Sequence, residues 1–212
     1  MRPPLLFWPR TSALLAATLL FGTACRQTNT AVATSTSAPA IDASTVADAH
    51  ASMSPTMPPT SAQLAVIAQV RAATARFHDV EEAVRAGYTV QYPAGCAASA
   101  SGAQGYHYLN PALAADAIID PLTPELLMYE PAPNGRLELV GVDYVIKYST
   151  LPANSIPTPT VLGVDMMHND PLGVWALHIW SRRPNTSGMF AAWNPDVSCA
   201  SQNVAKLPQL PQ

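Results

Sequence analysis

Asn134-Gly135 sits between two runs rich in β-formers, Leu126 to Pro133 and Arg136 to Tyr148, and this pair constrains the fold more than any other feature of the chain. A two-residue hairpin turn that matches strand twist needs positive φ at both central positions, which Asn and Gly tolerate. An antiparallel sheet follows, and the turn also sets a register. With Pro133 opposite Arg136, Glu130 faces Leu139, Met128 faces Gly141 and Leu126 faces Asp143, so these six side chains share one face. Leu127, Tyr129, Val140, Val142, Tyr144 and Ile146 share the other, an unbroken apolar and aromatic surface expected to be core. The first face carries two carboxylates and suits a partly wet concavity, with Gly141 leaving room for a ligand to approach the backbone.

Helix precedes this sheet. Leu64, Ile67, Val70, Thr74, Phe77, Val80 and Val84 recur at three- and four-residue steps and form one apolar stripe. Thr60 or Ser61 caps the start, Asp79 with Glu82 reads as a second capping box near a break at His78, and Gly87 is the stop. Further strands are expected at Gly105 to Leu109, Val174 to Ser181 and Met189 to Trp193, with Leu151 to Gly173 a long loop. The fold class is α+β: an N-terminal helix packed on an antiparallel β-sheet or partial β-barrel, with one disulfide.

The N-terminus reads as an address. Arg2 and Arg10 flank an apolar run from Ser12 to Phe21, and Gly22-Thr23-Ala24 places small residues before Cys25. That pattern is a bacterial secretory signal over residues 1–24, and its apolar run is short of the roughly 20 residues that span a bilayer. Cys25 stands where lipoproteins carry their lipidated cysteine; ordinary signal-peptidase cleavage is the alternative. Residues 25–60 are mostly Ala, Ser, Thr and Pro, a composition that buries too little apolar surface to fold, and read as a tether to the membrane. A single domain over 61–205 and a tail over 206–212 complete the organisation, and the protein is expected in the cell envelope, in the periplasm or membrane-anchored, or secreted.

Export makes the cysteines informative. The chain has three, and with Cys25 lipidated or at the cleavage point, Cys96 and Cys199 remain as a disulfide pair in an oxidising compartment. Charge excludes another class of partner. Lys and Arg number 11 against 14 Asp and Glu, a net charge of −3, without the basic clustering that nucleic acid requires.

Three histidines fall in the β-rich region: His107, His168 and His178. A polar ring central to an aromatic strand needs a partner. The sharpest reading is a divalent-metal site in which His107, Glu130 and His178 converge and a loop delivers His168, with zinc preferred and manganese or iron as alternatives. Asp143, Tyr106 and Trp180 are the expected ligand-facing neighbours. Met166 and Met167 beside His168 add copper as a further alternative. Against this stands the reading in which the histidines are core residues satisfied by backbone or tyrosine, and Glu130 or Asp143 pairs with Arg182 or Arg183. A metal-free acid–base site on the same groups is the third. No glycine-flanked serine, Walker loop or dinucleotide fingerprint is present, which argues against serine hydrolases, P-loop enzymes and Rossmann oxidoreductases.

From about Ala75 to Cys199 the chain resembles an uncharacterised family of bacterial exported proteins. The likeness rests on Phe77-His78-Asp79-Val80, Gly105 to Pro111, Met128-Tyr129-Glu130-Pro131, Leu139 to Tyr144, Leu177-His178-Ile179-Trp180 and the block from Asn185 to Cys199. The resemblance implies export and a shared domain rather than a reaction. Where that family has glutamate this chain has Asp143, a shorter arm. The expected function is an exported, lipid-anchored domain whose His/carboxylate cleft binds a divalent metal or small ligand. A metal-dependent or acid–base enzyme and a structural envelope protein without a site are the alternatives.

Overall fold

The computed structural model describes residues 58–151 and 157–201. The signal segment, Cys25, most of the tether and the 206–212 tail lie outside the described residues.

Helix α1, Ser61–Ala73, begins with a complete capping box: Thr60 Oγ1 accepts from the Gln63 amide at 3.2 Å and Gln63 Oε1 accepts from the Thr60 amide at 2.7 Å. Its buried stripe is Ile67 and Val70, while Leu64 stays exposed. The break near His78 is a 3-10 turn over Ala75–His78, after which helix α2, Val80–Arg85, is capped by Asp79 accepting from the Glu81 amide at 3.0 Å. Glu82 does not close the second capping box, because its carboxylate pairs with Arg85 at 2.7 Å. Gly87, at φ +100°, ends the helical region.

Among the described residues eight strands follow: β1 Val90–Ser99, β2 Gly102–Leu109, β3 Leu126–Pro131, β4 Leu137–Lys147, β5 Thr160–Val161, β6 Val164–Asp165, β7 Met167–Asn169 and β8 Val174–Ile179. Six of them form an antiparallel half-barrel sheet in the order β1-β2-β3-β4-β8-β7, and β5 and β6 form a separate hairpin. The fold is α+β as expected. The segment expected as a long loop contains three of these strands, with β7 adding an edge to the main sheet through its pairing with β8.

The β3–β4 hairpin keeps the predicted register at one end and departs from it at the other. Leu126 pairs with Asp143 and Met128 with Gly141, but Tyr129 then pairs with Leu139 and Glu130 with Glu138. Val140 is the extra residue, a β-bulge that shifts every position beyond it. Its carbonyl accepts from the Arg182 and Arg183 amides at 3.1 and 3.0 Å, so the chain leaving β8 secures the bulge. Leu139 takes the place expected for Val140 in the helix-side core, beside Leu127, Tyr129, Val142, Tyr144 and Ile146. Val140 turns to the opposite face, against Met128 and Trp180.

The helix-side core gathers Ile67 and Val70 of α1, Ala83 of α2 and the inward residues of β2, β3, β4 and β8. Its tyrosines keep their hydroxyls satisfied: Tyr88, Tyr129 and Tyr144 donate to the carbonyls of Pro124, Phe77 and Pro121 at 2.8, 2.7 and 2.7 Å. The expected disulfide is present. Cys96 of β1 and Cys199 are bonded with their Cα atoms 5.8 Å apart across 103 residues, closing a loop that the chain-entropy model values at about 4 to 5 kcal/mol.

Met189 to Trp193, expected as a strand, is irregular: the Met189 carbonyl accepts from the Trp180 amide at 3.0 Å and Asn194 bridges β2 through Ala103. The reason is where its carbonyls are used. Ala191 accepts from Trp180 Nε1 at 2.7 Å, Ala192 from Gln104 Nε2 and His178, and Trp193 from Asn185 Nδ2 at 2.9 Å. Side chains occupy acceptors that a ladder would need.

Candidate metal centre

On the sheet face away from the helices, β3 and its neighbours place Leu109, Leu126, Asp143 and His178 in one row by successive pairings, with His107, Met128 and Gly141 in the next. Direct cross-strand partners share a face, so His107 of β2, Asp143 of β4 and His178 of β8 all project to the same side. The curl of the sheet completes the convergence: one ring nitrogen of each histidine and one Asp143 carboxylate oxygen lie within 4.8 Å of one another. All three side chains are buried, at 2, 4 and 1 % relative exposure for His107, Asp143 and His178.

Backbone contacts fix the imidazole of His178. Its Nδ1 lies 3.0 Å from the Ala192 carbonyl, and a carbonyl only accepts, so the proton resides on Nδ1 and Nε2 is turned to the cluster. Gln104 Nε2 donates to the same carbonyl at 3.0 Å and steadies it. A histidine whose outer nitrogen donates to a backbone carbonyl is the usual arrangement behind a metal-bound inner nitrogen. His178 Nε2 and Asp143 Oδ2 are 3.6 Å apart, beyond a good N–H···O bond. Tetrahedral coordination with bonds of about 2.0 to 2.2 Å would separate ligand atoms by about 3.3 to 3.6 Å. That pair therefore stands at bridging distance, and closing the widest edge needs a movement of about 1 Å.

His107 is held neutral. Burial first, and then the nearby His178, push its pKa down to about 4, against weaker opposing effects from Asp143 and the Gly105 backbone. A neutral imidazole offers a lone pair to a cation. Its Nδ1 is buried without a hydrogen-bond partner among the described residues. The rings of His107 and His178 lie 5.4 Å apart between centroids, tilted by 44°.

A cavity of about 10 Å³ adjoins the three side chains, bounded also by Gln104 and Asn169, which is room for one water or ion and not for an organic ligand. Gly141 does not open space for one: a Cβ there would meet the Ile179 carbonyl oxygen at 2.6 Å and Met128 Cε at 2.8 Å.

Glu130 does not join the group. It lies four residues along β3 from Leu126, the partner of Asp143, and its carboxylate is occupied by a close ion pair with Arg183 and by the Ser198 amide at 3.0 Å. The carboxylate in the cluster is instead Asp143. His168 is also elsewhere, half exposed on β7, stacked on Tyr148 at 4.8 Å, against Trp175 at 4.6 Å, and 3.1 Å from Asp170. Met166 and Met167 are buried in two different apolar clusters, so they and His168 assemble no soft ligand set among the described residues. Tyr106 packs in the helix-side core, and Trp180 backs the site, its ring 6.3 Å from that of His178.

Gln104 and Glu125 escaped the sequence reading. Gln104 is the extra residue in a second bulge, between the pairs Ala97–Gly105 and Ala98–Ala103, and Gly105 with φ +84° is its marker. A glycine inside a strand was the available signal. Glu125 precedes β3 in a stretch without pattern, buried with its carboxyl 3.3 Å from the Val145 amide. No family model, curated protein or solved structure matches this chain.

Proposed function

We propose that this is an exported, lipid-anchored bacterial domain that holds one divalent metal ion, zinc in preference, on His107, Asp143 and His178. The observation that carries the reading is the buried convergence of two imidazoles and a carboxylate, with His178 already oriented by Ala192. Two nitrogens and one oxygen suit zinc, and manganese or iron(II) less well in an oxidising compartment. The ion would replace the ladder hydrogen bonds that the 189–193 segment lacks, because His178 and Gln104 anchor that segment through Ala192. With a cavity this small the ion serves architecture rather than turnover. Cys25 and the tether, with the resemblance to exported proteins, support the envelope location.

The test is metal content. The domain purified without chelators should carry about one zinc per chain by mass spectrometry, and stripping it with a strong chelator should lower the melting temperature, reversibly on zinc addition. Protein that holds no metal, and whose melting temperature ignores zinc, manganese, iron(II) and copper, refutes the proposal.

A further inference from the structure

A second site lies beyond the metal centre, where the end of α1 meets the chain leaving β8. A cleft of about 410 Å³ opens there between Pro58 and Pro59 on one side and Trp180, Gly188 and Met189 on the other, with Arg71 and Arg182 on its wall. That volume suits a small organic molecule. The two arginines are fixed by main chain rather than by acids: Arg71 Nε–H donates to the Ser181 carbonyl, and Arg182 donates to the Arg71 carbonyl and, at 3.3 Å, to Thr74 Oγ1. Neither has a carboxylate within ion-pair distance among the described residues, whereas Arg85 and Arg183 do. Arg182 Nε and Ser181 Oγ are buried without hydrogen-bond partners among the described residues. Two adjacent cations in a chain of net charge −3, held in place by main-chain carbonyls on the wall of an open cleft, form a receptor for an anion.

We propose that this cleft binds a small organic anion, its carboxylate or phosphate between Arg71 and Arg182 and its apolar body against Trp180, Met189 and the two prolines. The positive field extends to His78, whose protonation is disfavoured first by burial and then by Arg182. A guanidinium pair relieved of mutual repulsion by one bidentate anion gains more than either arginine gains from water.

The test is calorimetric titration of the mature chain, tether included, at low salt in chelator-free buffer with phenyl phosphate, benzoate and neutral benzyl alcohol, none of which fits the cavity of about 10 Å³ at the metal centre. At least one anionic probe should bind with a dissociation constant below about 1 mM and benzyl alcohol should not. Phosphate and carboxylate preference then follow from the two arms. Arg71→Gln and Arg182→Gln should each weaken binding by about tenfold or more, and Arg85→Gln, whose guanidinium is paired with Glu82, should leave it unchanged. Circular dichroism checks each variant, and should Arg182→Gln not fold, Arg71→Gln decides. Absence of binding by both anions at about 10 mM, equal binding of benzyl alcohol, or equal weakening by Arg85→Gln overturns the proposal.

Discussion

Glu125 should make this domain less stable as pH rises through neutrality, and Glu125→Gln should remove that dependence. Its carboxyl is buried, and desolvation raises its pKa from 4.5 to about 8, helped by the charges of Asp143 and Asp116 and opposed by its own backbone amide and that of Val145. The folded protein therefore keeps a proton that the unfolded chain releases above about pH 4.5. Stability from this group is complete below the unfolded pKa and is lost as pH rises through the folded one, at up to 1.36 kcal/mol per pH unit. Between pH 4.5 and 8 the loss amounts to about 3 to 5 kcal/mol. His107 acts oppositely at the acid end: with its folded pKa depressed to about 4, it favours the folded state increasingly as pH rises from 4 to about 6.5. The quantity to follow is thus the difference between wild type and Glu125→Gln, measured by urea unfolding from pH 5 to 9 with chelator present and the disulfide intact. The variant should gain on wild type steadily up to about pH 8, and level off above it. A difference that is flat with pH, or that favours wild type increasingly as pH rises, refutes the assignment of a protonated buried carboxyl.

Three further outcomes follow from the packing and the disulfide. Cys96→Ser with Cys199→Ser should cost about 2 to 5 kcal/mol in urea unfolding, and dithiothreitol should lower the wild-type melting temperature to match. Gly105→Ala should destabilise by about 2 to 4 kcal/mol and displace His107, because the new Cβ would lie 2.2 Å from the Tyr129 carbonyl oxygen at φ +84°; Gly95→Ala, with open space at φ +86°, should cost only about 1 kcal/mol, and equal costs would refute the close approach. Metal content should survive Glu130→Gln and fall to background in Asp143→Asn, and the reverse result would return Glu130 to the coordination sphere.

Periodicity and turn chemistry carried the architecture: the α1 stripe, the reversal at Asn134-Gly135 and the strands around His107 and His178 are all local patterns, and local patterns are what a sequence displays. The form of that reversal differs from the expected two-residue turn: Ala132, not Pro133, stands opposite Arg136, and positive φ occurs at Gly135 but not at Asn134, so the loop is Pro133-Asn134-Gly135. The disulfide was legible because reading Cys25 as part of an address left two cysteines with one way to pair. The carboxylate was not: Glu130 and Asp143 have the same residue character on the same face of the hairpin, and it is the contacts of Glu130 with Arg183 and Ser198, distant in the chain, that set it apart. The register of β4 was hidden too: a bulge at Val140 reverses the facing of Leu139 and the β4 residues on the turn side of it, and nothing in Leu139-Val140-Gly141 marks which residue is extra, since the stabilising contacts come from Arg182 and Arg183, some forty residues on in the chain. Residue type singles out His107, Asp143 and His178 but equally Glu130, His168 and Tyr106, which lie elsewhere, because residue type is local while convergence depends on sheet curl. The 189–193 segment shows the same limit: its β-like composition is real, but acceptors taken by Trp180, Gln104 and His178 are invisible until those side chains are placed.

The central claim is that His107, Asp143 and His178 share an ion, and X-ray absorption at the zinc edge of the purified domain examines it at the metal itself. The account predicts a shell of nitrogen and oxygen at about 2.0 to 2.1 Å with outer-shell scattering from two imidazoles, reduced to one in His107→Ala. Zinc bound through sulfur, zinc whose imidazole signal is unchanged in His107→Ala, or protein that takes up no zinc when it is supplied would contradict it.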